Sequence, residues 1–243
     1  MDSSKKNKLW ALLFEFLTIF VSVTAAFGFT RWNDNIKDRS SEKKILLEIK
    51  NGLEQDILDV QANIRYHQEA IYNIQLLQSY LFQDVTDKNL TSTQKNRALQ
   101  DSLGIIFHQI FAPVIVEQNI AGYETLKSKG LEVLQDDKLR LDIISLYEYD
   151  YQIIQKSEET SFGGNFDLLY FSDFNRIMSK LYHLTANNQF VLKDVNVLPE
   201  NEKNELSLLL NKIATKRINS ISIYNDLLKK IQFLDRELKS YLQ

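Results

Sequence analysis

The chain has 243 residues, 44% hydrophobic and 25% charged, with a formal net charge of −3 and Gly 7, Pro 2 and Cys 0. That length carries one anchored domain or two small ones with a real core, and so few breakers favour long helices over a turn-rich β fold. The lack of cysteine excludes disulfides, thiolate metal sites and cysteine nucleophiles, and a charge this near neutral gives no electrostatic case for nucleic acid as a partner.

Residues 1–8 form a short basic tail with Lys5, Lys6 and Lys8. From Leu9 to Thr30 the sequence LWALLFEFLTIFVSVTAAFGFT carries one charge, Glu15. As a helix it rises about 33 Å, which matches a hydrocarbon core of about 30 Å, so residues 9–31 are expected to span a membrane. The two tryptophans, Trp10 and Trp32, flank the run and suit the two interfaces of a bilayer. A cleaved signal peptide and a buried core helix are the alternatives. Against the signal peptide, the apolar run exceeds the usual length, and Phe27-Gly28-Phe29-Thr30 is no A-x-A-type cleavage site.

Orientation is argued both ways. Arg31, Lys37, Arg39, Lys43 and Lys44 come after the span and outnumber the basic residues before it, which favours a cytoplasmic body. The N-terminal cluster is compact, and a short basic tail before an uncleaved apolar run is the pattern of signal anchors that export the rest of their chain. The reading is a cytoplasmic N-terminus and an exported, periplasmic body.

Glu15, Thr18, Ser22, Ala25 and Phe29 recur at steps of three and four, on one helix face. Thr18, Ser22 and Ala26 add small-xxx-small spacing. Small residues let helix backbones approach in lipid, and hydroxyls bond across the contact, so Glu15, Thr18, Ser22, Ala25 and Ala26 are the expected helix–helix contact. The alternatives are an acid tolerated near one end of a lone anchor, and a proton pathway, which needs more than one carboxylate.

Residues 32–44 read as a polar stalk, helical or loose, and residues 45–243 as a helical body. A stripe at Ile49, Leu53, Ile57, Val60, Ile64, His67, Ile71, Ile74, Leu77 and Leu81 predicts one buried face of a helix ending near Phe82. The polar run from Asp84 closes it. Further helices are expected from Thr93 to Phe111, broken at Pro113, then from Val114 to Ser128 with Gly130 as a left-handed cap, and from Asp136 or Asp137 through Ile154. Phe166 to Leu184 reads as a shorter helix, followed by a loop to Pro199. A final helix carries Leu206, Leu210, Ile213, Tyr224, Leu227, Ile231, Leu234, Leu238 and Tyr241, with Arg217 and Ser220 interrupting its seam. The fold class is therefore all-α: an N-terminal transmembrane helix, then an elongated antiparallel bundle with long coiled-coil-like helices.

The order of these features resembles a bacterial family of single-pass inner-membrane proteins of unknown function. The residues that carry the resemblance are Glu15 within the span, Trp32-Asn33-Asp34-Asn35 after it, and Tyr123-Glu124-Thr125-Leu126-Lys127-Ser128-Lys129-Gly130 with Asp137-Lys138-Leu139-Arg140 further on. The resemblance implies inner-membrane anchoring and carries no activity. Where members often place a glycine before the intramembrane Glu, this chain has Phe14.

No catalytic, metal or cofactor constellation stands out, so no enzyme is expected. His67 sits on the apolar stripe and reads as a packed histidine, while His108 and His183 lack ligand spacing. Gly163-Gly164 is a hinge rather than a phosphate cradle. The aromatic run Phe162, Phe166, Tyr170, Phe171 and Phe174 is core filler, a partner or membrane-touching surface, or a small pocket. The leading functional expectation is a membrane-anchored interaction or scaffold protein that self-associates or joins an inner-membrane complex. The alternatives are an extracytoplasmic ligand-binding sensor module and an auxiliary subunit of an ion-driven or secretion complex.

Overall fold

Two long helices set the architecture. The computed structural model describes residues 3–82, 106–161, 170–187, 190–193 and 195–243. Helix α1 runs unbroken from Ser3 to Leu81, 79 residues, or about 118 Å of rise. The stalk is therefore helical and continuous with both the apolar segment and the body. Residues 14–40 are exposed along their whole length, and burial begins at Glu42. This helix is long and apolar enough, near the N-terminus, to cross a membrane.

The last helix, α7, spans Glu200–Leu242. Pro199 precedes it with φ −66°, the preset angle that suits a helix start. Its buried residues Leu206, Leu210, Ile213, Arg217, Ser220, Tyr224, Leu227, Ile231, Leu234 and Leu238 alternate steps of four and three without a break. That 3.5-residue period keeps one face turned to a neighbouring helix, as in a coiled coil. The neighbour is α1, antiparallel. Tyr241 Oη donates to Glu42 Oε1 at 2.9 Å at one end, and Gln78 Nε2 donates to Asn211 Oδ1 at 3.1 Å at the other. The seam of Ile49, Leu53, Val60 and Ile64 thus closes within the chain.

Shorter elements fill one flank. Residues 106–111 form helix α2. An irregular stretch, 112–120, leads to α3 (Ala121–Lys129). Gly130 ends α3 at φ 99°, a backbone angle that favours glycine, and its N–H bonds back to Leu126 O at 3.1 Å. Helix α4 (Asp137–Ser145) begins at Asp136, whose carboxylate accepts the Leu139 N–H at 2.9 Å. A π-helical turn at Leu146–Asp150 joins it to α5 (Tyr151–Ser161). Tyr147 and Tyr151, four residues apart and so on one face, both point inward. Then come α6 (Ser172–Leu181) and a hairpin, β1 (Tyr182–Leu184) against β2 (Phe190–Leu192), antiparallel with His183 opposite Val191.

Three sequence expectations need correction. The sequence predicts helix from Val114, but α3 starts at Ala121, because side chains of other elements hold the backbone of 112–120 outside any helix. The expected helix to Leu184 stops at Leu181, and part of the expected loop pairs as the short hairpin. Tyr241, placed on the buried seam of α7, is exposed and reaches Glu42 only through its hydroxyl. The expected helix start at Thr93, the loop from Asp84 and the Gly163-Gly164 hinge lie outside the described residues.

The body has two hydrophobic cores rather than one. The core nearer the apolar segment gathers Ile45–Ile64 of α1, Leu126, Ile143, Tyr151 and the second half of α7. The far core gathers Ile74, Leu77 and Leu81 with Ile106, Ile110, Phe174, Ile177 and the first half of α7.

Candidate functional site

The face expected to make helix contacts in lipid stands clear of the body. Glu15, Thr18, Ser22, Ala25 and Ala26 are all exposed, as are Trp10 and Trp32 at the two ends. Thr18 Oγ1 donates to Phe14 O at 2.7 Å, and Ser22 Oγ donates to Thr18 O at 2.8 Å. Both hydroxyl protons are thereby used within the helix, which leaves their oxygen lone pairs and the small volume of the alanines to meet another helix.

Between the two cores lies a polar waist that the periodicity of the sequence does not reveal. Arg217 of α7 and His67 of α1 are both fully buried. Arg217 Nη1 donates to His67 Nδ1 at 3.2 Å. A guanidinium has no lone pair, so Nδ1 accepts and the imidazole carries its proton on Nε2. Burial, with the Arg217 charge beside it, pushes the His67 pKa down to about 3. Burial also lowers Arg217, to about 10, so it stays charged at neutral pH. Its Nη2 donates to the carbonyls of Gln109 at 3.1 Å, Ile110 at 2.6 Å and Ala112 at 3.2 Å. These are carbonyls at the end of α2, which Pro113 prevents from continuing. A cation there meets both the unpaired acceptors and the negative end of the helix dipole.

The irregular stretch beyond Pro113 is threaded between α1, α5 and α7 and held by side chains. Asp56, fully buried, accepts from Asn119 N at 3.0 Å, from Asn119 Nδ2 at 2.6 Å and from the Tyr151 hydroxyl. Asp59 accepts from Glu117 N at 3.1 Å, and Glu158 from Val116 N at 2.9 Å and Tyr224 Oη at 2.7 Å. Asn63 Nδ2 donates to Ile115 O at 2.8 Å and Tyr147 Oη to Asn119 O at 3.2 Å, while the single Tyr224 hydroxyl proton is shared between Glu158 and Val114 O, 3.1 Å away. A backbone without helix or sheet partners needs others for its N–H and C=O groups, and here side chains replace secondary structure. Desolvation raises the carboxyl pKa of Asp56, Asp59 and Glu158 above the ordinary range, and it raises the Tyr151 and Tyr224 phenols as well.

The aromatic run divides. Phe174 is buried in the far core, its ring 4.8 Å from Phe111 and 5.6 Å from Phe107. Phe171 is 45% exposed but leans edge-on against Phe111 at 5.2 Å, and Tyr170 is half-buried against the same core. The partner surface expected of this run thus loses Phe174 to the core. Phe162 and Phe166 lie outside the described residues.

A shallow groove runs between the irregular stretch and α5. Pro113, Ile115, Val116 and Ile154 form apolar walls, and Glu117, Glu158 and Glu159 form an acidic rim. No three His, Asp or Glu side chains converge on one point among the described residues. The three histidines stand apart, with His67 at the waist, His108 exposed on α2 and His183 exposed on β1. What these groups do chemically is hold the chain in register. No protein-family model, curated protein or solved structure matches this chain.

Proposed function

We propose that this is a single-pass, membrane-anchored interaction protein of a bacterial inner membrane, with its helical body on the periplasmic side and no catalysis of its own. The observation that carries the reading is the continuity of α1. One helix holds the apolar segment, the exposed stalk and a whole side of both cores. An anchor joined by a flexible linker only tethers. An anchor that is the same helix as the core also fixes the height and tilt of the body. Between Thr30 and Glu42 the stalk lifts the first buried residue about 18 Å beyond the span. That geometry suits holding a copy or a partner at a set distance from the bilayer. The resemblance in Glu15 and Trp32-Asn33 supports the inner-membrane assignment.

The test is extraction of the full chain in mild detergents, with light scattering for mass and mass spectrometry of whatever co-purifies. The reading expects a dimer or a stoichiometric membrane partner. A bare monomer in several mild detergents contradicts it.

A second reading, a ligand-binding sensor module, is favoured by the groove beside α5. Its apolar walls and acidic rim suit an organic cation. Spermidine is a suitable probe: a rise in melting temperature of the full chain that Glu159→Gln reduces supports this reading, and no shift at millimolar concentration contradicts it.

A further inference from the structure

We propose that the grip on residues 112–120 is a proton-operated latch: Asp59 and Glu158 hold the stretch firmly when one of them carries a proton and loosen it when both are ionised. The two carboxylates come from different helices. Asp59 of α1 accepts the Glu117 N–H at 3.1 Å, and Glu158 of α5 accepts the Val116 N–H at 2.9 Å. Those amides are consecutive, and consecutive residues of a trans chain lie about 3.8 Å apart. Two negative charges are therefore held at neighbouring points of one backbone. Asp56, one turn before Asp59 on α1, adds a third on Asn119. Among the described residues, none of the three carboxylates has a cationic side chain within ion-pair distance, whereas the enclosed acids Asp150, Asp235 and Glu202 each pair with a lysine.

Asp59 and Glu158 each keep one oxygen for a proton. Glu158 takes the Val116 N–H and the Tyr224 hydroxyl on Oε1, and Asp59 takes the Glu117 N–H and the Asn63 amide on Oδ2. A proton on Glu158 Oε2 or Asp59 Oδ1 thus breaks no bond of the grip. Asp56 differs, with Asn119 on Oδ1 and the Tyr151 hydroxyl on Oδ2, so it is a fixed acceptor. The other titratable groups about the pair are His67 on α1, Glu117 on the stretch, Tyr147 on the π-helical turn, Tyr151 and Glu159 on α5, and Tyr224 on α7. Arg217 of α7 is turned to the carbonyls of Gln109, Ile110 and Ala112. Lys156 lies two residues before Glu158, on another face of α5.

An ionised carboxylate accepts a hydrogen bond more strongly than a neutral one. Burial works the other way, and so does repulsion among Asp56, Asp59, Glu117 and Glu158. Together they outweigh the hydrogen bonds, since all three gripping carboxyls titrate above the ordinary range. The folded stretch therefore binds protons more readily than the unfolded chain. The grip is fullest in mild acid and weakens as pH rises through the raised values. Loosening frees Pro113, Ile115 and Val116, which wall the groove beside α5, so the shape of the groove follows pH whether or not a ligand enters it.

Hydrogen exchange of the full chain in mild detergent, read by mass spectrometry on peptides covering 112–120 and divided by the intrinsic rate at each pH, tests the latch. Protection is expected to be several-fold lower at about pH 8 than at about pH 5.5. Glu158→Gln and Asp59→Asn keep an acceptor oxygen for the Val116 and Glu117 amides and stay neutral at every pH. Each should raise protection at the higher pH and flatten the dependence. His67 cannot produce this pattern, because its protonation loosens the fold on the acid side. Wild-type protection that is constant or rises with pH overturns the latch, and so does a wild-type dependence that both amide variants retain. A variant that unfolds counts equally against it, because the latch holds the neutral side chain best.

Discussion

Arg217 and His67 stand 150 positions apart in sequence and meet at 3.2 Å in the waist between two hydrophobic cores. Both occupy seam positions where leucine or isoleucine would fit the pattern. A buried polar pair in such a seam fixes which residue of α7 faces which residue of α1, since a shift of one heptad would strand a charge among apolar side chains.

Replacing Arg217 should show this role. Arg217→Met keeps much of the volume but leaves the carbonyls of Gln109, Ile110 and Ala112 without their donor. The expected loss is about 3 kcal/mol in urea unfolding, as for a removed partner of a buried charged hydrogen bond. Arg217→Lys should recover only part of it, because an ammonium lacks the planar fork.

His67 sets an acid limb to stability. Its pKa is held down to about 3 in the fold, against 6.5 as the ordinary value, so the unfolded chain binds a proton that the folded chain does not. Stability is fully present above pH 6.5 and falls as pH drops from there towards 3, by up to about 1.4 kcal/mol per pH unit. The raised carboxyls of Asp56, Asp59 and Glu158 act in the opposite sense, because they bind protons more readily folded than unfolded. Subtracting the profile of His67→Gln from that of the wild type, by chemical unfolding between about pH 7 and about pH 4.5, isolates the histidine. A difference that does not change with pH would refute the assignment.

Gly122 and Gly52 should respond differently to alanine. A Cβ at Gly122 would sit 2.6 Å from the Ile49 backbone nitrogen, with no flexible atom to yield. Gly122→Ala is expected to cost about 2 kcal/mol in thermal or urea unfolding, in the range for overpacked cores. At Gly52 the nearest atom is Asn119 Cβ at 3.1 Å. There, the strain is offset by roughly 0.8–1 kcal/mol of helix propensity, so Gly52→Ala should be near neutral.

Much of this fold was legible in the residues. The stripes of α1 and α7 follow from periodicity, and the helix start at Asp136 or Asp137 and the stop at Gly130 follow from residue type. The waist was not. Arg217 and Ser220 looked like interruptions of a seam, because the need for a cation comes from carbonyls exposed by Pro113 a hundred residues away. Asp56 and Asp59 carry no signal in the sequence, because carboxylates on a helix usually face water. Their partners lie on a stretch whose apolar residues, Val114, Ile115 and Val116, were read as helix. Side-chain clamps from three other elements overrode that local preference.

Orientation rests on the compact basic tail. A reporter active only in the periplasm, fused after Gln243, should work, and one active only in the cytoplasm should not. Gln243 lies at the base of the bundle, beside Tyr241 and its contact with Glu42, so the fusion reports the side on which the whole body sits. The reverse pattern would restore the simple count of basic residues on either side of the span.

In the proposed function α1 is at once membrane anchor and core helix. Alkaline carbonate extraction of membranes from cells making the full chain tests it most directly, with the intact mass of the pelleted protein as the readout. The expected chain stays in the pellet at full mass, with residues 9–31 retained. A chain released to the supernatant, or one shortened by the mass of its first thirty or so residues, would contradict it.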